Sequence, residues 1–436
     1  MRTRNGGMRC RTWCRSSVIV AAAALAAGVL GAAGPAGAST APTAGAPGVT
    51  SHSITVGTIS TQTGPIASNF SSLIYGEKAY FDYINSMGGV NGRTIDYRYA
   101  LDDGGSGPTF NQLASTLINQ DHVFAVTGVA SAFFTPNYFV EAGTPTYGYD
   151  VTGNWAGPKN LFAAGGSVIY YPSEAADSAY VVKRTHSNSV AILAYGVPSS
   201  ADACRAASAG LTSAGYKVSY VDLNIEYPGS TVATDVQRMK EAGSDFVLSC
   251  LDVGGNINLA RAIQQYGLHV TQLWLSGNDQ STLRQNESLM QGVYFGTAHV
   301  PFTAPVSEYP GLKLYLTEMR RYEPKYVEDE VAIQGWESAA LFVEGVKLAG
   351  QNLTQANVIA QTNKLTAFTA NGLIAPVNWA VDHTGTGPPY CVAYIRATGS
   401  TFVPALNKGE NVFNCFESAS ARSGPVFPLP PGTPSA

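Results

Sequence analysis

Strand-like and helix-like segments alternate from about residue 54 to residue 275, and this alternation restricts the fold more than any other feature of the chain. Ile54 to Ile59 is apolar and rich in β-branched residues, as a strand buried on both faces requires. Leu73 to Met87 places Leu73, Gly76, Tyr80, Ile84 and Met87 at helical spacing, and Gly88-Gly89 stops the helix. Strands are predicted at 94–101 and 123–127, with a helix over 109–119 between them. The second half repeats the pattern, with strands at 190–195, 217–223, 245–251 and 272–275 and helices at 199–214, 231–242 and 259–266. Sustained βαβα order predicts an α/β fold of parallel sheets covered by helices, joined by right-handed crossovers. With 436 residues the chain exceeds one ordinary core and suits two lobes. Ligands of such sheets bind beyond the carboxyl ends of the strands. The residues following Ile59, Leu101, Thr127, Tyr147, Tyr195, Leu251 and Leu275 are therefore the first candidates for a site.

The two ends read differently. Arg2, Arg4, Arg9, Arg11 and Arg15 precede an apolar run, Val18 to Val29, and Ala36-Gly37-Ala38 then offers small residues for cleavage. Residues 1–38 are thus predicted to be a secretory signal peptide; Gly28, Gly31, Gly34 and Pro35 interrupt what would otherwise serve as a membrane anchor. No Cys follows the apolar run until Cys204, so the usual lipid-attachment pattern is missing. Residues 39–52 are rich in Ala, Pro, Gly and Thr and read as a flexible linker. Residues 407–436 read as a C-terminal extension, disordered after about 420, where five Pro accumulate.

Loss of the leader takes the formal charge from −4 to −9. An acidic chain with no basic run outside its leader is a poor partner for nucleic acid. Cys204, Cys250, Cys391 and Cys415 remain, an even number that suggests disulfides in an exported protein. Order along the chain favours Cys204 with Cys250 and Cys391 with Cys415, although four cysteines allow three pairings. The sequence contains no G-x-x-x-x-G-K-[ST], H-E-x-x-H, G-x-S-x-G or C-x-x-C motif, and its six His are scattered. No cofactor or metal is expected, and no enzyme activity.

Several short pieces carry a family likeness. They are Thr63-Gly64-Pro65, the run Ile84 to Arg93 (INSMGGVNGR), Asp102-Asp103, Glu141 to Pro145 (EAGTP), Met239 to Val247 (MKEAGSDFV) and Gln291 to Tyr294 (QGVY). In this order they resemble the type I periplasmic binding proteins of the branched-chain amino acid, or leucine-binding, group of ABC transporter receptors, over roughly Ile54 to Pro404. The resemblance implies two Rossmann-like lobes joined by three crossover segments, near 162–165, 295–300 and 375–379. Lobe 1 would be 53–164 with 299–375, and lobe 2 would be 165–298 with 376–406. Hinge closure would trap a ligand between them.

The same resemblance suggests where a ligand is held. The loop Gly128 to Phe133 corresponds to one that offers a serine hydroxyl and backbone amides to a ligand carboxylate, with a helix N-terminus after it. Ser131 matches; Ala132 stands where a second serine is usual, so one donor is missing. Tyr149, Asp150 and Thr152 fall in the next contact loop. Thr152 fits the family's threonine, and Asp150 either receives a ligand amine or caps a helix. Asn69 or Phe70 takes the place of an aromatic lid, with Phe70 packed inside lobe 1 as the alternative. In lobe 2 the aligned positions are Ser199, Asp252, Asn278 and Asp279, each equally explained as turn chemistry. Trp336 reads as core more readily than as a cleft residue.

The expected function is an extracytoplasmic receptor, most simply a monomer. It would capture a small polar or amphipathic metabolite, amino-acid-like or amide-like, and present it to ABC importer permease subunits. Its membrane association would come through that partner or an uncleaved leader. The alternatives are a ligand sensor read by a membrane signalling partner and, further off, a secreted enzyme.

Overall fold

The computed structural model describes residues 45–166, 176–384, 390–407 and 411–416. The expected signal peptide and the final residues, 417–436, lie outside the described residues.

In chain order the first elements are β1 (Ser53–Ser60), α1 (Leu73–Ser86), β2 (Thr94–Asp102), α2 (Gly107–Asn119), β3 (Ala125–Val129), α3 (Asn137–Ala142), β4 (Thr146–Gly148) and β5 (Leu161–Ala163). Their strands form one wholly parallel sheet in the order β2-β1-β3-β4-β5. There follow α4 (Ala176–Arg184), β6 (Ser189–Tyr195), α5 (Pro198–Ser213), β7 (Lys217–Ile225), α6 (Val232–Glu241), β8 (Phe246–Ser249), α7 (Val253–Gln265), β9 (Thr271–Trp274), α8 (Gln280–Gln285), α9 (Glu287–Met290) and β10 (Tyr294–Thr297). The chain then supplies α10 (Pro310–Tyr322), α11 (Glu330–Ala349) and α12 (Gln355–Thr362), and ends in β11 (Tyr390–Thr398), β12 (Thr401–Ala405) and β13 (Phe413–Phe416). The second sheet runs β12-β11-β10-β9-β8-β6-β7, parallel from β7 to β10 and antiparallel beyond, with β13 also paired to β11.

The late helices belong with the early sheet. α11 packs on α1, β3 and β4, and its Trp336 lies in an aromatic group with Tyr80, Tyr83 and Tyr315. Trp336 is therefore core. Glycine makes the α1–α11 crossing possible: a Cβ on Gly76 would lie 1.7 Å from the Ala332 carbonyl oxygen, and one on Gly335 would lie 2.1 Å from that of Leu73. The chain thus leaves the first lobe after β5, builds β6 to β10, returns for α10 to α12, and goes back to finish the second sheet.

Three expectations need correction. Residues 45–52 are not a loose linker: Thr55 donates its amide to Gly48 O and the Arg93 guanidinium binds Thr50 O, which fixes the segment along the first sheet. The second sheet does not end at 406. Residues 413–416 pair with 390–393 and are joined to β11 by the Cys391–Cys415 disulfide. The helix placed at 259–266 begins at Val253, because Asp252 caps it and the Gly254-Gly255 pair, though poor in helix propensity, lies in its first turn. The other disulfide, Cys204–Cys250, ties α5 to the end of β8. Among the described residues no helix is long and apolar enough to cross a membrane.

Candidate functional site

Each sheet reverses its strand order at one place, between β1 and β3 in the first and between β6 and β8 in the second. Strand-connecting chain leaves in opposite directions there, which opens a crevice at the carboxyl ends. The two crevices belong to one site, because the loops that leave them meet. Asn69 donates from Nδ2 to Asp252 Oδ2 at 3.4 Å, and the Tyr227 hydroxyl donates to Pro65 O at 2.9 Å. Further along, Gly277 N donates to Glu330 Oε1 at 3.0 Å, Glu330 N to Asn278 O at 3.1 Å, and Gln280 N to Glu328 O at 3.0 Å. Beside these contacts an open cavity of about 410 Å³ is lined by Tyr195, Gly196, Asn224, Glu226 and Tyr227.

On the first lobe the predicted residues divide. Ser131 is buried, and its hydroxyl donates to Asp103, itself buried and also bound by Thr61 at 2.7 Å. That proton is committed inside the lobe. No helix starts behind the loop: α3 begins only at Asn137, after Pro136, so the expected helical anion site beside Ser131 is not formed. Phe70 is no lid. It is buried with Leu73, Ala130 and Val331, against Ala132, Tyr149 and Val151. Asn69 takes the outward position. Asp150 does not cap a helix either, since the short turn that follows, Gly153–Trp155, starts behind Thr152. Among the described residues, the buried hydroxyls of Thr152 and of Ser60, at the end of β1, have no hydrogen-bond partner.

On the second lobe Asp252 and Asp279 are helix caps. Asp252 Oδ1 accepts from Gly255 N at 2.9 Å and from the Tyr195 hydroxyl at 2.7 Å; Asp279 Oδ1 accepts from Thr282 N. Ser199 lies half-buried in the first turn of α5, and its neighbour Ser200 is the bonded one, to Tyr195 N and Cys250 O. Asn278 is buried and faces His299 across 3.4 Å. His299 Nδ1 lies 2.9 Å from Val300 O, and burial pulls its pKa down to about 4, so the ring is neutral at pH 7 and receives from Asn278 at Nε2.

Sequence reasoning missed a group of acids on α11. Asp329 caps the helix through Val331 N and Ala332 N and accepts from Ser72; burial raises its pKa to about 6. Glu330 spans the lobes and is raised to about 7 by the same cause. Glu337 has no exposed surface, neither carboxylate oxygen has a hydrogen-bond partner among the described residues, and burial, with the charge of Asp150 added, holds it well above the usual carboxylate range. Asp329 before a helix was findable as a capping signal; nothing in the sequence distinguishes Glu337 from a surface acid. Among the described residues no group of His, Cys, Asp or Glu could hold a metal.

The family model for periplasmic binding proteins matches residues 53–400. This chain belongs to that family. No curated protein matches the sequence. Among solved structures, the fatty acid ABC transporter substrate-binding protein from Thermomonospora curvata aligns with a TM-score of 0.73 at 18% identity, covering 89% of this chain and 97% of that one. A branched-chain amino acid ABC transporter protein from Thermus thermophilus with bound valine gives 0.71 at 15% identity, covering 86% and 99%. A solute-binding protein of an R. palustris ABC transporter in complex with benzoate gives 0.64 at 15%, covering 81% and 95%. These periplasmic binding proteins share the two-lobed α/β fold with the present chain.

Proposed function

We propose that this chain is an exported receptor that captures a small metabolite between its lobes, leaves it chemically unaltered and hands it to an ABC importer. The observation that carries the reading is the meeting of loops from the carboxyl ends of both sheets, Asn69 with Asp252, Pro65 with Tyr227 and Glu330 with Gly277. Each of these contacts is a single hydrogen bond between loops, of a kind that a hinged pair can break and remake. The family and the ABC-transporter origin of the similar structures support the importer as partner, and the basic, apolar and small-residue order of residues 1–38 supports export. Asn69, Asp150, Thr152, Asp252 and Asn278 remain candidate ligand contacts; Phe70, Ala132 and Tyr149 form the apolar wall behind them. Isothermal titration of the purified chain against amino acids, amines, amides and aromatic acids is the direct test. Binding with a 1:1 stoichiometry is expected, and no heat with any member of such a panel would refute the receptor role.

A further inference from the structure

The segments at the mouth of the cleft are 60–70, 102–106, 130–135, 148–155, 195–200, 225–231, 250–256, 275–281 and 328–337. They contain ten carboxylates, namely Asp102, Asp103, Asp150, Glu226, Asp252, Asp279, Glu328, Asp329, Glu330 and Glu337, and no Lys, Arg or His. Of the helices that begin at or just after these segments, α7, α8 and α11 already hold a carboxylate of the chain itself at the amino end, Asp252, Asp279 or Asp329, and α2 holds the Ser106 hydroxyl, whereas α1, α5 and α6 carry no side-chain cap. A helix N-terminus is the usual receptor for a ligand anion where no basic side chain exists. Here the amino ends of α7, α8 and α11 are filled, and the Ser131 hydroxyl is committed to Asp103.

Behind these loops, within the first lobe, several buried acceptors lack a donor. Glu337 and Gln334 stand one turn apart on α11, the helix that lies over β3 and β4. Both are at least nine-tenths buried, and among the described residues neither Glu337 oxygen nor the Gln334 carbonyl oxygen has a hydrogen-bond partner. The Thr152 hydroxyl, beyond the end of β4, is a fourth such atom, and Asp150 in the same loop lies near enough to act electrostatically on Glu337. A buried carboxyl without a hydrogen bond is costly. An N–H-bearing cation supplies what this set of acceptors needs.

We propose that the ligand is an organic cation rather than an organic acid, its charged nitrogen held on the first lobe by Glu337 and Asp150 together with the Gln334 carbonyl and the Thr152 hydroxyl. The inference rests on the receptor reading and deepens it. The probes are putrescine, ethanolamine, agmatine and argininamide on one side, and isovalerate, benzoate and octanoate on the other, each titrated calorimetrically into the full chain at pH 7.5. At least one cation is expected to bind more tightly than every acid. Glu337→Gln is expected to weaken it at least tenfold, and Asp150→Asn, a loop change that leaves the buried helix intact, by a smaller factor in the same direction; melting curves of the free variants confirm folding. Binding of the acids alone, or cation binding unchanged in both folded variants, overturns the cation proposal while the receptor stands. Heat with neither set nor with neutral amides and sugars overturns both.

Discussion

Glu77 illustrates how a single residue on this scaffold responds to pH. It sits on α1 with no exposed surface, accepts a 2.7 Å hydrogen bond from Thr58, and is driven by burial to a pKa of about 7. The folded chain therefore keeps a proton that the unfolded chain releases between about pH 4.5 and 7. The destabilisation is absent below that window, grows through it, and reaches about 3 kcal/mol above it. Glu77→Gln keeps an acceptor for Thr58. It should melt higher than the parent at pH 8, with the gap closing towards pH 4.5; equal differences at both pH values would show that the charge is not the cause. His299 acts in the opposite sense: as pH falls from 6.5 towards 4 the unfolded chain takes up a proton that the buried ring refuses, so stability is lost through that window. At this scale the sequence singled out Asp252 and Asp279 as ligand contacts or turn residues without reading either as a helix cap, and it was uninformative about Ser131, whose partner Asp103 lies 28 residues away.

Among the elements, α1 and α11 make the tightest contact. Gly76→Ala brings a methyl group into the Ala332 carbonyl and should cost at least the roughly 1–3 kcal/mol of ordinary overpacking, read as a lowered denaturation midpoint. A parent-like midpoint would mean that the helices can slide apart. The Cys204–Cys250 disulfide joins residues 46 positions apart. Replacing both cysteines by Ala should cost up to about 4 kcal/mol through the freed unfolded chain, and an unchanged midpoint would count against that account. The helix α1 was readable almost to the residue because a regular apolar stripe ends at two glycines. The strand β13 was not, because four residues next to a Pro-rich tail carry too little pattern to be seen, and only pairing with β11 makes them a strand.

For the molecule as a whole, the polar contacts across the cleft set how easily it opens. Tyr227→Phe removes one bond to the opposite lobe, worth about 0.5–1.5 kcal/mol, and should speed ligand release by up to roughly tenfold in stopped-flow measurements. Identical release rates would place closure elsewhere. Small-angle scattering should show a smaller radius of gyration with saturating ligand than without. Parallel sheets were legible from alternation, and two lobes from alternation together with chain length. That residues 330–349 return to the first lobe was legible only through family likeness, since amphipathic spacing describes a helix without naming its neighbour.

That return has a consequence for how the chain matures. Whether it emerges from a ribosome or through a translocation pore, its amino-terminal half appears first, yet α11, which roofs β3 and β4, arrives some two hundred residues later. The second half-body waits longer still, until Cys415 can reach Cys391. Neither half can therefore finish as an early, self-sufficient unit. The nascent polypeptide stays threadable until nearly all of it has been delivered, and a stop codon anywhere before residue 416 leaves an open sheet edge rather than a shorter working receptor.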